Sequence, residues 1–477
     1  MRVLVLLLFS FFSMLAFSQP VKESQVKHTY YISSSVGSDA NDGLSEEKPL
    51  KSIRAVKEKS FVKVRLKAGD VFFEHVAGFR YTIFESYGEG EKPMLCGFKV
   101  LKNVNAWQLD GQNGCWVLDL TKEENFVGYL QRDNEPNSMF NDVGCIYDAQ
   151  HDQVYGHLVK DKSLLMSDGD FYTNSHYQTD SVKVHPFGKL YFKTNVDPRQ
   201  MGHLCFSMGQ HGVMRAEGCV LRNIAVVGFA RHGVANAWNA TIENCQFDLI
   251  GGAIQVGYQY WVRYGNGIEF GGNTHDNLVT GCLISRTYDC GVTIQGKTTE
   301  KLQPMRIHFV NNRFYHCRQA FEHFISSSGD YESKYTDCSF SDNFCYMMGE
   351  NEFSTPQARD ANILSYENAP RTLTITDNYF FGAPYLCGYN YGDGTDDNVV
   401  YVYESQYLNH YHGKWDKPTI LAEGKRDVRA YRERTGDKSR IVILKRDSSK
   451  ARRLEKKVLK KVGWSAPFTG EDVESML

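Results

Sequence analysis

The hydrophobic and polar positions of residues 204–390 repeat at a spacing of roughly 25–37 residues. Each unit alternates apolar and polar residues, reaches Asn or Gly, and then turns. The units are CVLRNIAVVGF, ATIENCQFDLIGG, NLVTGCLISRTYDCG, RIHFVNNRFYHC and TLTITDNYFFG. This pattern predicts a β-solenoid, in which each rung buries its interior only against its neighbours. Frequent glycines and many β-branched and aromatic residues argue against stacked helical repeats.

Three shorter pieces, about one rung apart, share a glycine or alanine followed by alternating inward and outward positions. They are GNGIEF (265–270), DCGVTIQ (289–295) and RQAFEHF (318–324). Stacking them gives two outward columns: Glu269, Thr293 and Glu322 in one, and Gly265, Asp289 and Arg318 in the next. Parallel strands lie about 4.8 Å apart, so the two glutamates are expected about 9–10 Å apart. A slip of one residue would turn Glu322 inward and His323 outward, and GGAIQVG (251–257) is an alternative site strand.

The N-terminal region carries a more specific signature. YYISSSVGSDANDG (30–43), KPLKSI (48–53) and RLKAGDVF (65–72) resemble the opening of secreted parallel β-helix proteins of the pectate-lyase-like superfamily. RYGNGIEF and YDCGVTIQG resemble a pattern found in exported bacterial β-helix proteins, many of them connected with polysaccharides. The resemblance implies an all-β fold, a single-stranded right-handed parallel β-helix. It suggests these site positions: Arg263, Asn266, Glu269, Asp289 and Gln295.

Changes in composition divide the chain into five predicted regions. These are a signal peptide (1–18), an N-terminal cap with the first rungs (19–100), a β-rich insertion (101–203), the parallel β-helix with the candidate site (204–400), and a C-terminal helix with a basic extension (401–477). The insertion shows no repeat, only many aromatic residues among polar turns. The basic residues of 414–461 predict either a solvated helix over the end of the solenoid or a surface that attracts anionic glycan.

The first 18 residues have a basic start, an apolar run, and Ala16 and Ser18 before Gln19, as secretory signal peptides do. We therefore predict a secreted or periplasmic protein, without an integral membrane segment, acting as a monomer. No nucleic-acid-binding fold accompanies the basic tail, and an exported protein rarely meets nucleic acid, so we expect no nucleic acid partner. Because several of the 12 cysteines recur at the same place in successive rungs, we expect mostly buried thiols with few disulfides.

The outward columns supply the candidate chemistry. The predicted catalytic residues are Glu269, Asp289, Arg318, Glu322 and Arg263. The predicted substrate-binding residues are Asn266, Gln295, Tyr258, Trp261, Tyr288, His232 and His316. Each has an alternative structural interpretation, such as a surface carboxylate, a turn residue, a structural Asp289–Arg318 ion pair, or aromatic residues closing the solenoid edge.

Three functions fit these residues. The first is cleavage of a uronic-acid polysaccharide by β-elimination, with Arg263 or Arg318 neutralising the uronate and His316, His323 or Tyr288 moving the proton. The second is hydrolysis by paired carboxylates, and the third is a non-catalytic glycan-binding or envelope protein. Epimerisation at C5 shares the proton abstraction of the first. No cofactor is required, although Ca²⁺ held by Asp248, Glu269 and Asp289 is an alternative.

Overall fold

A computed structural model describes residues 19–111, 114–128, 143–173, 188–255, 262–349, 353, 360–365, 371–388, 394–410 and 420–477. In this part of the chain three long sheets, here called A, B and C, stack successive strands in parallel, as expected for a right-handed parallel β-helix. None of the described helices has the length and apolar character needed to cross a membrane.

Each sheet takes one strand from a rung, so that neighbours in a sheet are separated in sequence by whole rungs. Sheet A contains His28–Ile32, Val62–Lys67, Ile83–Tyr87, Val220–Arg222, Thr241–Glu243, His275–Thr280, Met305–Val310, Ser339–Ser341 and Thr374–Thr376. Sheet B contains Val76–Ala77, Val213–Met214, Val234–Ala235, Ile268–Gly271, Cys290–Thr298, Gln319–Ser327, Ala361–Ser365, Tyr385–Gly388, Tyr407–His410 and the antiparallel Ile420–Leu421. Sheet C contains Val71–Phe72, Met94–Cys96, Ala225–Val227, Gln246–Ile250, Leu283–Thr287, Arg313–Tyr315, Phe344–Tyr346, Tyr379–Phe381, Val399–Tyr403 and Arg440–Leu444.

Side-chain alternation explains these strands. In Val62–Lys67, buried and partly exposed positions alternate strictly, with the valines and leucine inside. Inward residues of all three sheets form one continuous apolar core along the solenoid, including Val234, Ile268, Val292 and Phe321 of sheet B. All 12 cysteines are buried free thiols, so they serve as small apolar residues.

A ladder of asparagines runs along the turn between sheets A and C. Asn312, Asn343, Asn378 and Asn398 are buried, and each Oδ1 from Asn343 onward accepts hydrogen bonds from the backbone N–H and Nδ2 of the preceding member. Their Nδ2 groups also donate to backbone carbonyls one rung earlier, such as Phe309 O. We call these four residues the asparagine ladder. The ladder satisfies the backbone polar groups of these four turns within the protein.

Between Cys96 and Val213 the chain leaves the solenoid and forms an antiparallel module, whereas the sequence suggested bounds of 101 and 203. Five of its strands form one sheet: Phe98–Leu101, Phe126–Gly128, Val143–Asp148, Gln153–Tyr155 and Cys205–Met208. Four form a second: Gln108–Asp110, Cys115–Asp119, Phe171–Thr173 and Lys189–Phe192. Most of the aromatic residues described in this module, among them Trp107, Phe192 and Phe206, pack into a core of the module's own.

Short elements connect these sheets. Ala253–Ile254 pairs with Arg263–Tyr264 in a two-stranded antiparallel ribbon outside sheet B. In the described ranges the 3₁₀ turns are Glu23–Gln25, Ile53–Ala55, Val104–Ala106, Glu123–Asn125, Lys162–Leu164 and Pro198–Gln200.

Three α-helices follow the last rungs: α1 (Lys425–Thr435), α2 (Ser449–Val462) and α3 (Gly470–Met476). Helix α1 covers the end of the solenoid and buries Tyr431, whose hydroxyl donates to Asp437 (2.7 Å). The basic helix α2 instead lies along the outer side of sheet C. The helix that the sequence predicted over the end of the solenoid is therefore α1. Most of the positive charge lies on the next helix, α2.

Candidate functional site

Three consecutive strands of sheet B form the candidate face. Ile268–Gly271 pairs with Cys290–Thr298, which pairs with Gln319–Ser327, and the register places Glu269 beside Thr293 and Thr293 beside Glu322. The predicted column is confirmed. Val234 pairs directly with Ile268, so GNGIEF provides the strand of this rung and the alternative strand GGAIQVG does not. The two glutamates stand two strand spacings apart, about 9–10 Å.

Glu269 is the best organised carboxylate of this face. Its Oε2 lies 3.0 Å from His232 Nε2 and accepts hydrogen bonds from Asn266 Nδ2 (3.1 Å) and Gln295 Nε2. Among the described residues no group donates to Oε1, and the side chain is 17% exposed. The three donors fix one oxygen and leave the other toward the outer side of the sheet.

His232 is buried below Glu269. Its Nδ1 accepts the backbone N–H of Asn266 (3.0 Å), and its ring stacks on His211 and meets Tyr264 edge-on, with centroids 5.2 and 5.1 Å away. Burial lowers the pKa of His232 below its usual range, although the Glu269 carboxylate opposes this shift. The imidazole is therefore neutral at neutral pH and holds its proton on Nε2, toward Glu269.

Glu322 lies two rungs further on and is buried, with a relative exposure of 4%. Its Oε2 lies 3.1 Å from the thiol Sγ of Cys290. Burial, together with the Glu322 and Asp289 carboxylates, raises the pKa of Cys290 well above its usual range, so the thiol keeps its proton and donates it. Between the glutamates, Thr293 Oγ1 is buried and has no hydrogen-bond partner among the described residues.

The second column contains the predicted Asp289 and Arg318. Their strands place them side by side, since Cys290 pairs with Gln319. Arg318 Nε donates to Asp360 (3.2 Å), while its buried Nη2 has no hydrogen-bond partner in the described part of the chain. Burial alone would lower the pKa of Arg318, but Asp289, then Tyr288 and Asp360, raise it, so the guanidinium stays charged. The partner of its Nε is Asp360, which the sequence did not suggest.

Arg263 and Tyr288 lie beside this face, at the contact with the antiparallel module. Arg263 donates to the carbonyls of Gly252 (2.7 Å), Gly156 (2.8 Å) and Gly144 (2.7 Å), and its guanidinium lies over the Tyr288 ring. Its Nη1 and Nη2 thus hold the module against the solenoid, and its Nε binds next to the ribbon strand Ala253–Ile254. Tyr288 is buried between the guanidiniums of Arg263 and Arg318.

Other predicted residues lie away from this face. His316 is in a turn beside sheet C, stacked on Tyr315, and burial lowers its pKa to about 4. His323 points into the core, where burial lowers its pKa to about 3. Asp248 is buried on sheet C and paired with Arg286, so the predicted calcium ligands do not converge. Tyr258 and Trp261 lie outside the described residues.

His211 was not among the predicted site residues, although the sequence carries a signal for it. HGV occurs at 211–213 and again at 232–234, one rung apart, and the same position then reads NGI and CGV. Val213, Val234, Ile268 and Val292 occupy equivalent places in sheet B. The residues two before them, His211, His232, Asn266 and Cys290, consequently form one column. No group of three or more His, Cys, Asp and Glu side chains suited to a metal ion was found within the described ranges.

Comparisons with known proteins agree with the architecture. Residues 194–359 match the family model of the right handed beta helix region. The fold is similar to the complex of XylC with xylose (10% identity, 83% of this chain and 73% of that chain, TM-score 0.49). It is also similar to a glycoside hydrolase (10%, 90% and 98%, 0.39) and to the GH136 lacto-N-biosidase from Eubacterium ramulus (13%, 87% and 68%, 0.34). With TM-scores below 0.5, these three likenesses support no conclusion about this chain. No curated protein matches the chain.

Proposed function

We propose that this protein is an exported glycoside hydrolase that cleaves a polysaccharide on the outer face of sheet B. Glu269 acts as the general base and Glu322 as the general acid. The observation that carries the proposal is the Glu269 carboxylate, which has one oxygen fixed by three donors and the other without a donor among the described residues.

The roles follow from the surroundings of the two glutamates. A base must accept a proton from water, and Glu269 Oε1 is the oxygen that is left to do so. Glu322 is the other carboxyl group of the same outward column, two strands from Glu269, and we assign it the complementary role of the acid. The strands that carry the two glutamates lie about 9–10 Å apart. Carboxyl groups with a similarly wide spacing leave room for a water molecule, and such pairs give inversion at the anomeric carbon.

Elimination on a uronic-acid glycan is the second candidate function. Several residues that the sequence suggested for this reaction lie elsewhere or are bound to other groups. His316 and His323 lie away from the face, and Arg263 is bound by three carbonyls. What still favours elimination is a pair of guanidiniums beside the face. Arg318 Nη2 and Arg231 Nε are buried and have no hydrogen-bond partner among the described residues, and each would suit a uronate carboxylate.

The test is a screen of residues 19–477 against neutral and acidic polysaccharides, reading reducing ends and the ultraviolet absorbance of unsaturated products together. Hydrolysis predicts reducing ends without absorbance, and elimination predicts both. Glu269→Gln and Glu322→Gln should each reduce the rate by about 1000-fold, whereas the exposed Glu300→Gln should leave it unchanged. If Glu269→Gln keeps full activity and an unchanged circular dichroism spectrum, the catalytic site is not on this face. Glycan binding without any product would favour the non-catalytic function.

A further inference from the structure

One column of sheet B links each rung to the next through side-chain acceptors. His211 Nδ1 accepts the backbone N–H of His232 (3.2 Å), and His232 Nδ1 accepts that of Asn266 (3.0 Å). Asn266 Oδ1 then accepts the N–H of Cys290 (3.1 Å). We call His211, His232 and Asn266 the histidine ladder.

The ladder decides where His232 carries its proton. A backbone N–H can only donate, so Nδ1 of His232 must be an unprotonated acceptor. The ring proton of the neutral imidazole is therefore on Nε2, 3.0 Å from Glu269 Oε2. Protonating Nδ1 would set two N–H groups against each other and would break the ladder at Asn266.

We propose that His232 is a positioning residue, locked by the backbone of the next rung as a neutral Nε2–H donor that orients Glu269. The inference rests on the proposed function of Glu269 as the base. His232 neither takes up nor delivers the proton of the reaction, and it keeps Oε2 occupied so that Oε1 faces the substrate. A general base works only when it is held within hydrogen-bond reach of the proton that it removes.

The groups around His232 agree with a fixed neutral ring. Glu269 and Asp289 favour a positive charge on it, whereas Arg231 and burial oppose one, and burial has the largest effect. The stacked His211 is also neutral, because burial lowers its pKa well below the usual range. Tyr264 closes the remaining side edge-on.

Two substitutions at this position separate orientation from general packing. Glutamine can accept the Asn266 N–H with Oε1 and donate to Glu269 with Nε2, whereas alanine can do neither. We expect His232→Ala to lose about 100-fold in kcat with little change in KM, as for a misplaced catalytic group. His232→Gln should stay within about tenfold of the original enzyme. His308→Gln, on sheet A, serves as the matched control.

The split between kcat and KM, together with the rescue by glutamine, is a readout that packing alone would not move. If Glu269→Gln is fully active, the proposed function fails. If Glu269→Gln is inactive but the alanine and glutamine variants of His232 behave alike in kcat, the inference fails and the proposed function stands.

A measurement without substrate tests the lock directly. In protein labelled with nitrogen-15 histidine, long-range proton–nitrogen correlation should show the His232 ring neutral and protonated on Nε2 at about pH 6.5, where an unperturbed imidazole is half protonated. The His232→Gln spectrum assigns the signal by its loss. An Nδ1–H tautomer, or a ring that is half protonated at this pH, would overturn the inference.

Discussion

The asparagine ladder and the histidine ladder are built on the same stacked rungs, but they use their second polar atom differently. In both, one side-chain atom accepts a backbone N–H of a neighbouring rung. In the asparagine ladder the other atom donates to a backbone carbonyl and to the next asparagine, as Asn343 Nδ2 does. In the histidine ladder, His232 Nε2 and Asn266 Nδ2 both point at the Glu269 carboxylate.

The difference shows how a repetitive backbone can support either stability or chemistry. A ladder whose polar atoms are all used by the backbone can only stabilise the solenoid. In the histidine ladder, His232 Nε2 and Asn266 Nδ2 donate to the partly exposed Glu269 carboxylate instead of the backbone. These bonds orient the carboxylate for chemistry. The substitutions below test this distinction, from the largest expected effect to the smallest.

The largest effect is expected at the carboxylate itself. Glu269→Gln should reduce the hydrolytic rate by about 1000-fold, as for loss of a general base, while the free energy of unfolding changes little. Initial rates on the polysaccharide found in the screen, with urea unfolding of the same samples, measure both. A large loss of stability with full activity would make Glu269 a structural residue like those of the asparagine ladder.

His323 follows Glu322 in the same strand, and strand alternation points its side chain into the core. Titration of His323 should therefore affect stability and not activity. Its pKa falls from 6.5 to about 3 on folding, so the unfolded chain binds the proton first as the pH drops. The stabilisation is complete above about pH 6.5 and is lost as the pH falls toward 3, on the order of 4 kcal/mol. His323→Leu should flatten this part of the stability–pH curve, whereas His308→Gln should not. Equal slopes in both variants would place His323 in contact with water.

A substitution in the asparagine ladder should have the opposite effect to Glu269→Gln, because it should lower the stability and leave the activity unchanged. Asn343→Ala leaves the buried N–H of Asn312 and the carbonyl of Phe309 without their side-chain partner, which should cost about 3 kcal/mol of unfolding free energy. Activity below the melting temperature should be unchanged. Thermal unfolding against the exposed Asn195→Ala checks the loss, and a change below about 0.5 kcal/mol would contradict it.

Arg263 lies beside the candidate face but resembles the asparagine ladder, because its nitrogens donate to backbone carbonyls. Arg263→Lys keeps the charge but not the planar fork, and should cost about 2 kcal/mol. Hydrogen exchange should rise in Val143–Asp148, where Gly144 accepts one bond, with activity retained. Loss of activity without faster exchange would return Arg263 to the catalytic residues.

Local patterns explain why the register of the face was predictable. A glycine or alanine before each apolar–polar–apolar alternation fixes both the face and the phase of GNGIEF, DCGVTIQ and RQAFEHF. The column of Glu269, Thr293 and Glu322 follows from that phase alone. His211 was equally predictable, because HGV occurs at 211–213 and again at 232–234, and aligning these two rungs places His211 in the column of His232.

The partners of Arg263 could not be predicted in the same way. Gly144 and Gly156 precede it by 119 and 107 residues and belong to a module without any repeat. Asp360, which binds Arg318, is likewise 42 residues away on the next rung of sheet B. No periodicity of the sequence connects such positions.

The sequence by itself determined the solenoid, its buried core and the outward columns of sheet B, because a repeated alternation of apolar and polar residues has one low-energy way to stack. Only the tertiary structure decided which outward groups are consumed by backbone partners and which remain oriented for chemistry. That choice depends on hydrogen bonds between distant segments and on burial. It separates Arg263, held by three carbonyls, from Glu269, held by three donors on a single oxygen.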